Sequence, residues 1–449
     1  MARNSLWIAQ RHGQDWNDAE SLAAIEWLVA QVPSADWQAR LDRVRQTFFS
    51  ARDHWAAGDR ISLFDPADLV AWYVFQATAY ACARERQNWV EHEAFRIAPV
   101  FRRLGQMLPD MRRVAGADER VAKLMTSGRT TPDNGLYELL VAGAYARRGW
   151  RHVAFVPEQP GVARTPDLEV RRGRSRWAVE CKRVGQSEYS ALERDRADAM
   201  SALAHAECEA ASSSLDIKIA FLDELSRIDE RYLADHVAAF LSGGPAHWKD
   251  AFGEGFLKHI DRRPIDAILQ HDDVYFGSSR MIELLVGDYH MAVDYDVRGD
   301  WVPGEERPFH ATTLGRVSVV SWLSVSEEAA RRKARHFRSM VAGAASQLPG
   351  DCPGVVHVGY ETTSGNSANG RRHMLNLEQI SSFDPGTSRL QWVYGNYISP
   401  EHSVAQNESA ALSETTAAYP VRGRRNVQPL ANHMLFMDED GGPGYHWHR

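Results

Sequence analysis

A short apolar stretch, WAVECKR (177–183), carries two charged side chains whose spacing suits chemistry. Its composition predicts a β-strand, in which successive side chains point to opposite faces. Glu180 and Lys182 are two residues apart, so they would lie side by side on one face. Burying such charges is costly unless they are paired with each other or bind a metal. The alternative to a functional pair is an ion pair on a solvated face.

A second carboxylate is expected to approach Glu180 from the preceding strand. Asp167 follows Pro166, and RRGRSR (171–176) predicts a tight turn that joins the two strands as a hairpin. Two neighbouring carboxylates are suited to a hard cation such as Mg²⁺ or Mn²⁺. Such a metal lowers the pKa of an attacking water, and Lys182 could orient that water and offset charge on a phosphoryl group. These residue types therefore predict phosphodiester hydrolysis.

Three further residues could contribute ligands to the same site. Glu138 is a carboxylate in LYELLVAGAY (136–145), a stretch that is otherwise almost entirely apolar and helical in pattern. It would bind a metal directly or through water, or else lie exposed on the helix. The carbonyl of Cys181 is a candidate metal ligand because it lies between the two charged residues of the strand. Glu158 could approach the metal from the loop that follows VAFVP (153–157).

The Glu-x-Lys spacing by itself is weak evidence. An acidic residue two positions before a lysine is expected roughly once by chance in this composition, and it occurs twice, at Glu180-x-Lys182 and Asp216-x-Lys218. Only the first copy follows a helix with a glutamate and a Pro-Asp strand. The second copy is therefore an internal control.

The context of the first copy resembles the PD-(D/E)xK nuclease superfamily, whose fold is restriction-endonuclease-like. The matching residues are Pro166-Asp167 and Glu180-Cys181-Lys182, with Glu138 on the preceding helix. The resemblance covers about residues 136–222. It implies an α/β fold with an α-β-β-β-α-β core, in which helices flank a mixed sheet. It also implies a metal-dependent endonuclease that acts on nucleic acid; DNA is the expected substrate and RNA the alternative.

Basic residues are concentrated around this core. The span 147–183 has a net charge of +6 in a chain whose net charge is −7. Arginines there could clamp phosphates through paired hydrogen bonds, although a solvated hairpin tip would look the same. The candidates for nucleic-acid contact are Arg148, Arg164, Arg171, Arg172, Arg174 and Arg183.

The 449 residues are enough for several domains, and 44% hydrophobic with 25% charged residues is typical of a globular protein. No apolar run is long enough for a membrane span, and the N-terminal residues do not have the pattern of a secretory signal. Four widely spaced cysteines indicate neither a disulfide framework nor a zinc knuckle. We expect a cytoplasmic protein without a membrane partner. The sequence leaves open whether the protein forms a homo-oligomer.

The pattern along the chain predicts four regions. Residues 1–125 form a helical N-terminal domain and 126–225 the nuclease core. Residues 226–325 form a mixed α/β insertion, with a helix over 252–260 and a strand over 281–286. Residues 326–449 form a helix–strand unit and a loop-rich tail, with 401–420 as a loop.

The core sheet has two candidates for its last strand. IKIAFL (217–222) is expected in the same sheet as 177–183, and VVHVGY (355–360) is expected either to extend that sheet or to take the place of IKIAFL. Two other functions stay open on this evidence. One is a catalytically inactive nucleic-acid-binding module with the same fold; the other is a structural or signalling protein whose charged strand residues are ion pairs.

Overall fold

The computed structural model describes most of the chain. The described residues are 5–8, 17–57, 61–158, 165–184, 188–290, 293–305, 307–361, 366–402, 410–423, 427–438 and 446–447. They form an α/β protein with two mixed sheets flanked by helices.

The N-terminal part of the chain is helical, as predicted. After a strand, β1 (Ser5–Ile8), come α1 (Ala19–Val29), α2 (Ser34–Ala56), α3 (Leu69–Ala81), α4 (Glu91–Met111) and α5 (Ala117–Met125). Helix α3 is buried on nearly all sides, which explains why its sequence is apolar throughout. These helices share one hydrophobic core with the first sheet, so they cover one of its faces.

The first sheet contains β1 and the three strands predicted between residues 153 and 183. Its strand order is β1-β13-β12-β11-β4-β3-β2, and β14 pairs with β13. The bounds are β2 (His152–Phe155), β3 (Leu168–Arg172), β4 (Ser175–Val184), β11 (Gly354–Glu361), β12 (Leu390–His402), β13 (Ala410–Pro420) and β14 (His446–Trp447). Strands β2, β3 and β4 are antiparallel, whereas β4, β11 and β12 run parallel.

Helices cover both faces of this sheet. Helix α6 (Pro132–Arg147) packs on the face that also meets α3 and α4, while α11 (Glu327–Ala345) and α12 (Asn366–Ser381) pack on the other. Strand β4 shows the predicted alternation, because Val179 and Cys181 enter the first core and Ala178 enters the second.

The second sheet is built from the chain between β4 and α11. Its order is β6-β7-β5-β10-β8, with β9 paired to β10. The strands are β5 (Leu215–Phe221), β6 (His247–Lys249), β7 (Gly253–His259), β8 (Val274–Tyr275), β9 (Asp294–Pro303) and β10 (His310–Ser324). Its helices are α7 (Glu188–Ala210), α8 (Tyr232–Leu241), α9 (Arg263–Leu269) and α10 (Ser279–Val286). Short 3₁₀ turns lie at Pro66–Asp68, Ala83–Asn88, Leu225–Arg227 and Val421–Gly423.

The structure decides between the two candidate strands of the core sheet. Strand β11, which contains 355–360, pairs in parallel with β4, with Glu180 opposite Val356. The segment 217–222 does not join that sheet; β5 pairs with β7 and β10 instead. The prediction that 217–222 lies in the same sheet as 177–183 was therefore wrong, and the predicted boundary at 225 falls between β5 and β6 of the second sheet. Helix α7 and β5 have a core of their own, which holds them away from β4.

Three local predictions were also wrong. Residues 281–286 lie in α10 rather than in a strand: the Ser278 side chain accepts from Met281 N, and Gly287 ends the helix with φ 79°. Residues 253–259 form a strand with alternating burial rather than a helix. The described part of 401–420 lies in β12 and β13, so it is not a loop. None of the described helices is long and apolar enough to cross a membrane.

Candidate active site

A cleft of about 430 Å³ opens where the hairpin β3–β4 meets α5 and the start of α6. Its acidic lining consists of Glu138, Glu158, Asp167 and Glu180, and its basic lining consists of Arg120, Lys123, Lys182 and Arg183. Asp167, Glu180 and Lys182 thus face one cavity, as the strand alternation and the short hairpin predicted, and Glu138 of α6 faces the same cavity.

Asp167 is held against β4 by backbone hydrogen bonds. It lies one residue before β3, at the point where β3 and β4 stop pairing. The Cys181 backbone N–H, which is left without a partner on β3, donates to Asp167 Oδ2 at 2.7 Å. The Asp167 N–H in turn donates to Glu180 Oε2 at 3.2 Å. These two bonds fix the carboxylates of Asp167 and Glu180 next to each other.

Glu180 and Lys182 lie on the same face of β4 and form an ion pair. Lys182 Nζ donates to Glu180 Oε1 at 2.6 Å, and Glu180 is only 1% exposed. Burial, and then repulsion from Asp167, raise the pKa of Glu180 to about 8 despite the ammonium of Lys182. The pKa of Lys182 is raised as well: burial acts to lower it, but Glu180 and Asp167 together raise it more. Glu180 therefore lies where a further positive charge would be favourable.

Glu138 faces the same cleft from α6. The preceding residue, Tyr137, anchors the helix: its ring packs where a Cβ on Gly359 would be, and its hydroxyl donates to Asn396 Oδ1 at 3.0 Å. Glu138 is 9% exposed, so it is an inward-facing carboxylate rather than a surface residue. Burial and then the neighbouring Asp167 raise the pKa of Glu138 to about 7.

Two basic residues of α5 complete the site, and the sequence interpretation did not include them. Arg120 forms ion pairs with Glu138, with Asp167 at 3.4 Å and with Glu158 at 3.2 Å. Lys123 forms an ion pair with Glu158. Their spacing of three residues puts them on one face of a helix. That spacing, and the scarcity of lysine in the chain, were the available signals.

The chain segment before α5 explains why Arg120 reaches the cleft. Ala115 pairs with β2: its N–H donates to Val153 O at 3.0 Å, and Phe155 N–H donates to Ala115 O at 2.9 Å. Gly116 follows with φ 77°, a conformation that favours glycine, and α5 begins at the next residue. The helix is thereby tied to the edge of the sheet that carries the hairpin.

The carbonyl of Cys181 remains a candidate ligand. In an antiparallel pair the N–H and C=O of one residue face the same neighbour, and the N–H of Cys181 already faces Asp167. The thiol is buried in the core on the other side of the strand, where burial raises its pKa well above the ordinary value. The backbone of Cys181, rather than its side chain, therefore serves the cleft.

The predicted arginines are distributed differently from the expectation. Arg183 lines the cleft. Arg171, Arg172 and Arg174 are exposed around the hairpin turn, and Arg171 pairs with Glu169. Arg172 is the fifth residue after Asp167 along β3, roughly 16 Å away at about 3.3 Å per residue, so this group cannot share a phosphate with the cleft.

Arg148 does not present its guanidinium to solvent at the cleft. Its Nη2 donates to the carbonyls of Met434 and Met437, at 2.6 Å and 2.9 Å, and burial lowers its pKa. It fastens α6 to the C-terminal segment, so its assignment to phosphate binding was wrong. Arg164 lies outside the described residues.

The donor set fits a hard divalent cation. Two buried carboxylates, Glu138 and Glu180, converge with the half-buried Asp167, and the raised pKa values of Glu138 and Glu180 indicate that their charges are poorly compensated. Among the residues that the structure describes, no three His, Cys, Asp or Glu side chains are already grouped as a ready-made metal site. The carboxylates are turned instead towards Arg120 and Lys182.

Comparisons of the chain with protein-family models, curated proteins and solved structures give no match. A function must therefore be inferred from the chemistry of the cleft.

Proposed function

We propose that this protein is a divalent-metal-dependent nuclease of the restriction-endonuclease-like class, which hydrolyses phosphodiester bonds in DNA. The observation that carries the proposal is the convergence of Glu138, Asp167, Glu180 and Lys182 in one cleft. The four residues come from three separate elements, so a chance spacing in the strand does not account for their meeting.

The arrangement of the elements supports the same class. In chain order α6, β2, β3 and β4 are followed, after the second sheet, by α11 and β11, and β11 lies parallel to β4. This is an α-β-β-β-α-β order with the second sheet inserted between its third strand and second helix. In this proposal α11 and β11 take the places in the core that α7 and β5 were expected to fill.

Each residue of the cleft has a definite part in this proposal. Asp167, Glu180 and Glu138 would hold Mg²⁺ or Mn²⁺ through their oxygens, with the Cys181 carbonyl as a further ligand. When bound, such a cation polarises the phosphate and makes water a better nucleophile. Lys182 is held beside Glu180, where its ammonium can orient that water and offset charge on the phosphoryl oxygens.

Nucleic acid is a reasonable substrate because four basic residues line the cleft of an acidic chain. They are Arg120, Lys123, Lys182 and Arg183. The exposed hairpin arginines could contact the backbone farther along the substrate, where they would strengthen binding without touching the scissile phosphate.

The test is cleavage of supercoiled plasmid, linear duplex, single-stranded DNA and RNA, each with Mg²⁺, Mn²⁺ or EDTA. We expect cleavage of DNA with either metal and none with EDTA. A Glu180→Gln protein purified in parallel controls for contaminating nuclease and should be inactive. Binding of nucleic acid without cleavage of any substrate would favour the inactive binding module; no affinity for nucleic acid would favour the structural role.

A further inference from the structure

The guanidinium of Arg120 lies among the carboxylates that the proposed function assigns to a metal. Its Nη2 atom pairs with Glu138 Oε2 and lies 3.4 Å from Asp167 Oδ1. The Arg120 side chain is only 14% exposed, so the guanidinium is inside the cleft rather than at its rim. Burial acts to lower the pKa of Arg120, but the surrounding carboxylates raise it, so the group stays charged.

The oxygen of Asp167 that faces Arg120 is the one best placed to bind a cation. Asp167 Oδ2 already accepts from the Cys181 N–H at 2.7 Å. Oδ1 is turned towards Arg120. A divalent cation binds carboxylate oxygens at about 2.0 to 2.6 Å. A cation that bridges Asp167 Oδ1 and Glu138 would therefore need the space in which the Arg120 guanidinium lies.

Arg120 has a second position within reach. Its Nη1 donates to Glu158 Oε1 at 3.2 Å, and Glu158 lies at the open side of the cleft with a 54% exposed side chain. The guanidinium carbon lies 5.7 Å from the centroid of the Phe155 ring, a contact that does not depend on Glu138 or Asp167. A small rotation would thus take the guanidinium from the two buried carboxylates to Glu158, where an incoming phosphate would meet it.

We propose that Arg120 and the divalent cation are alternative occupants of the space between Glu138 and Asp167, and that the displaced guanidinium binds the substrate phosphate. This inference rests on the proposed nuclease function and adds a role for a residue outside the motif. Arg120 keeps the metal-free carboxylates together, and after displacement its planar, paired donors suit a phosphate.

The first test is Mn²⁺ affinity, measured by electron paramagnetic resonance, for wild type, Arg120→Gln and Lys123→Gln. Removing a competitor should tighten Mn²⁺ binding about tenfold in Arg120→Gln, the scale of a typical coupling between two ligands. Lys123→Gln is the matched control: it removes one positive charge from the same helix, but the ion pair of Lys123 in the described part of the cleft is with Glu158 rather than with Glu138 or Asp167. Its Mn²⁺ affinity should change much less.

The outcomes separate the inference from the proposed function. If Mn²⁺ binds wild type and Arg120→Gln equally, or binds the variant more weakly, the competition is refuted while the nuclease proposal stands. Equal tightening in both variants would also refute it, since a general charge effect would then suffice. If wild type neither binds Mn²⁺ nor cleaves DNA, the proposed function itself fails.

A second measurement needs no variant. Phenylglyoxal modifies accessible arginines, and the site of modification can be located by peptide mass spectrometry. Adding Mg²⁺ should speed modification of Arg120 about fivefold or more, because displacement exposes the guanidinium. An unchanged or slower rate would overturn the displacement.

The phosphate contact is tested by cleavage at saturating Mn²⁺. Arg120→Gln should lower the rate by about a hundredfold despite its tighter metal binding, and Arg120→Lys should restore part of it. Undiminished cleavage by Arg120→Gln would overturn the phosphate role.

Discussion

The two acidic-x-lysine pairs of this chain lie on the central strands of its two sheets, and they differ in what surrounds them. Glu180 on β4 and Asp216 on β5 are both buried, and each has a lysine two residues later on the same face. Around Glu180 the neighbouring strand and helix bring two further carboxylates. Around Asp216 the neighbouring strand brings another lysine, because Lys258 lies opposite it in β7.

The difference shows how a motif becomes a site. Asp216 lies 3.4 Å from Lys258 Nζ and 3.8 Å from Lys218 Nζ; burial raises the pKa of Asp216, and these two lysines act to lower it. The carboxylate of Asp216 is therefore already paired with the ammonium groups of two lysines. Asp167 lies next to Glu180, and its negative charge raises the pKa of Glu180 in addition to the effect of burial. A buried cluster with surplus carboxylates has a use for a metal, whereas a cluster with surplus lysines does not.

The comparison is tested most strongly by removing one carboxylate from each cluster. Asp167→Asn should abolish cleavage, a loss on the order of a thousandfold, because it removes a metal ligand. Its Mn²⁺ affinity should fall as well. The matched variant Asp216→Asn should cleave and bind Mn²⁺ like wild type. Equal losses in the two variants would show that the motif on β5 takes part in the reaction.

The two lysines give the next largest contrast. Lys182→Ala should lower the cleavage rate by about a hundredfold, since one charge near the developing phosphoryl charge is lost. Mn²⁺ affinity should be preserved, because Lys182 is not a ligand. Lys218→Ala is the control and should cleave within about twofold of wild type. Full activity of Lys182→Ala would place the catalytic centre elsewhere.

The pH dependence of stability sharpens the contrast between the acids. In the metal-free protein the pKa of Glu138 is raised to about 7 and that of Glu180 to about 8, from 4.5. Between pH 4.5 and 8 these two carboxyls bind more protons in the folded state than in the unfolded state. Their contribution to the free energy of unfolding therefore falls as pH rises from 4.5 to 8. Below pH 4.5 both carboxyls are protonated in the folded and in the unfolded state, so they no longer make the stability depend on pH.

Glu180→Gln should therefore melt higher than wild type at pH 8 and nearly equal to it at pH 4.5. A difference of 1 kcal/mol corresponds to a shift on the order of 2 °C in a chain of this size. Asp216→Asn should raise the melting temperature less than Glu180→Gln does between the same pH values, since two lysines favour the charged form of Asp216. These differences are measured by thermal unfolding in EDTA between pH 4.5 and 8. If Glu180→Gln raises the melting temperature by the same amount at every pH, the raised pKa of Glu180 is contradicted.

The smallest expected effect concerns the lysines around Asp216. Lys218→Ala should cost less than about 1 kcal/mol of stability, because Lys218 is partly exposed and Lys258 still faces Asp216. Lys258→Ala should cost more, since Lys258 is closer to Asp216 and also donates to Val286 O at 3.0 Å. Urea unfolding measures the loss of stability in both variants. A larger loss in Lys218→Ala than in Lys258→Ala would mean that Lys218 is the principal partner of Asp216.

Local sequence determined the parts of the site that depend on backbone periodicity. Alternation along β4 places Glu180 and Lys182 on one face and Cys181 on the other. The Pro-Asp start of the hairpin brings Asp167 to Glu180, because a short turn leaves only one register between the strands. The nearly unbroken apolar pattern of α6 indicated that Glu138 is an exception within a buried helix. All of these features arise within a few residues, where backbone geometry dictates side-chain direction.

Tertiary structure decided what lies farther apart in the chain. The segments 217–222 and 355–360 have the same strand-like composition, yet only β11 pairs with β4, since β5 is covered by α7 in a separate core. Arg148 looked like a phosphate ligand, but it binds carbonyls of the C-terminal segment. The sequence marked Arg120 only by its three-residue spacing from Lys123, and Arg120 enters the cleft because Ala115 pairs with β2. Partners such as these are selected by long-range packing and by the cost of burying charge, which a local pattern does not encode.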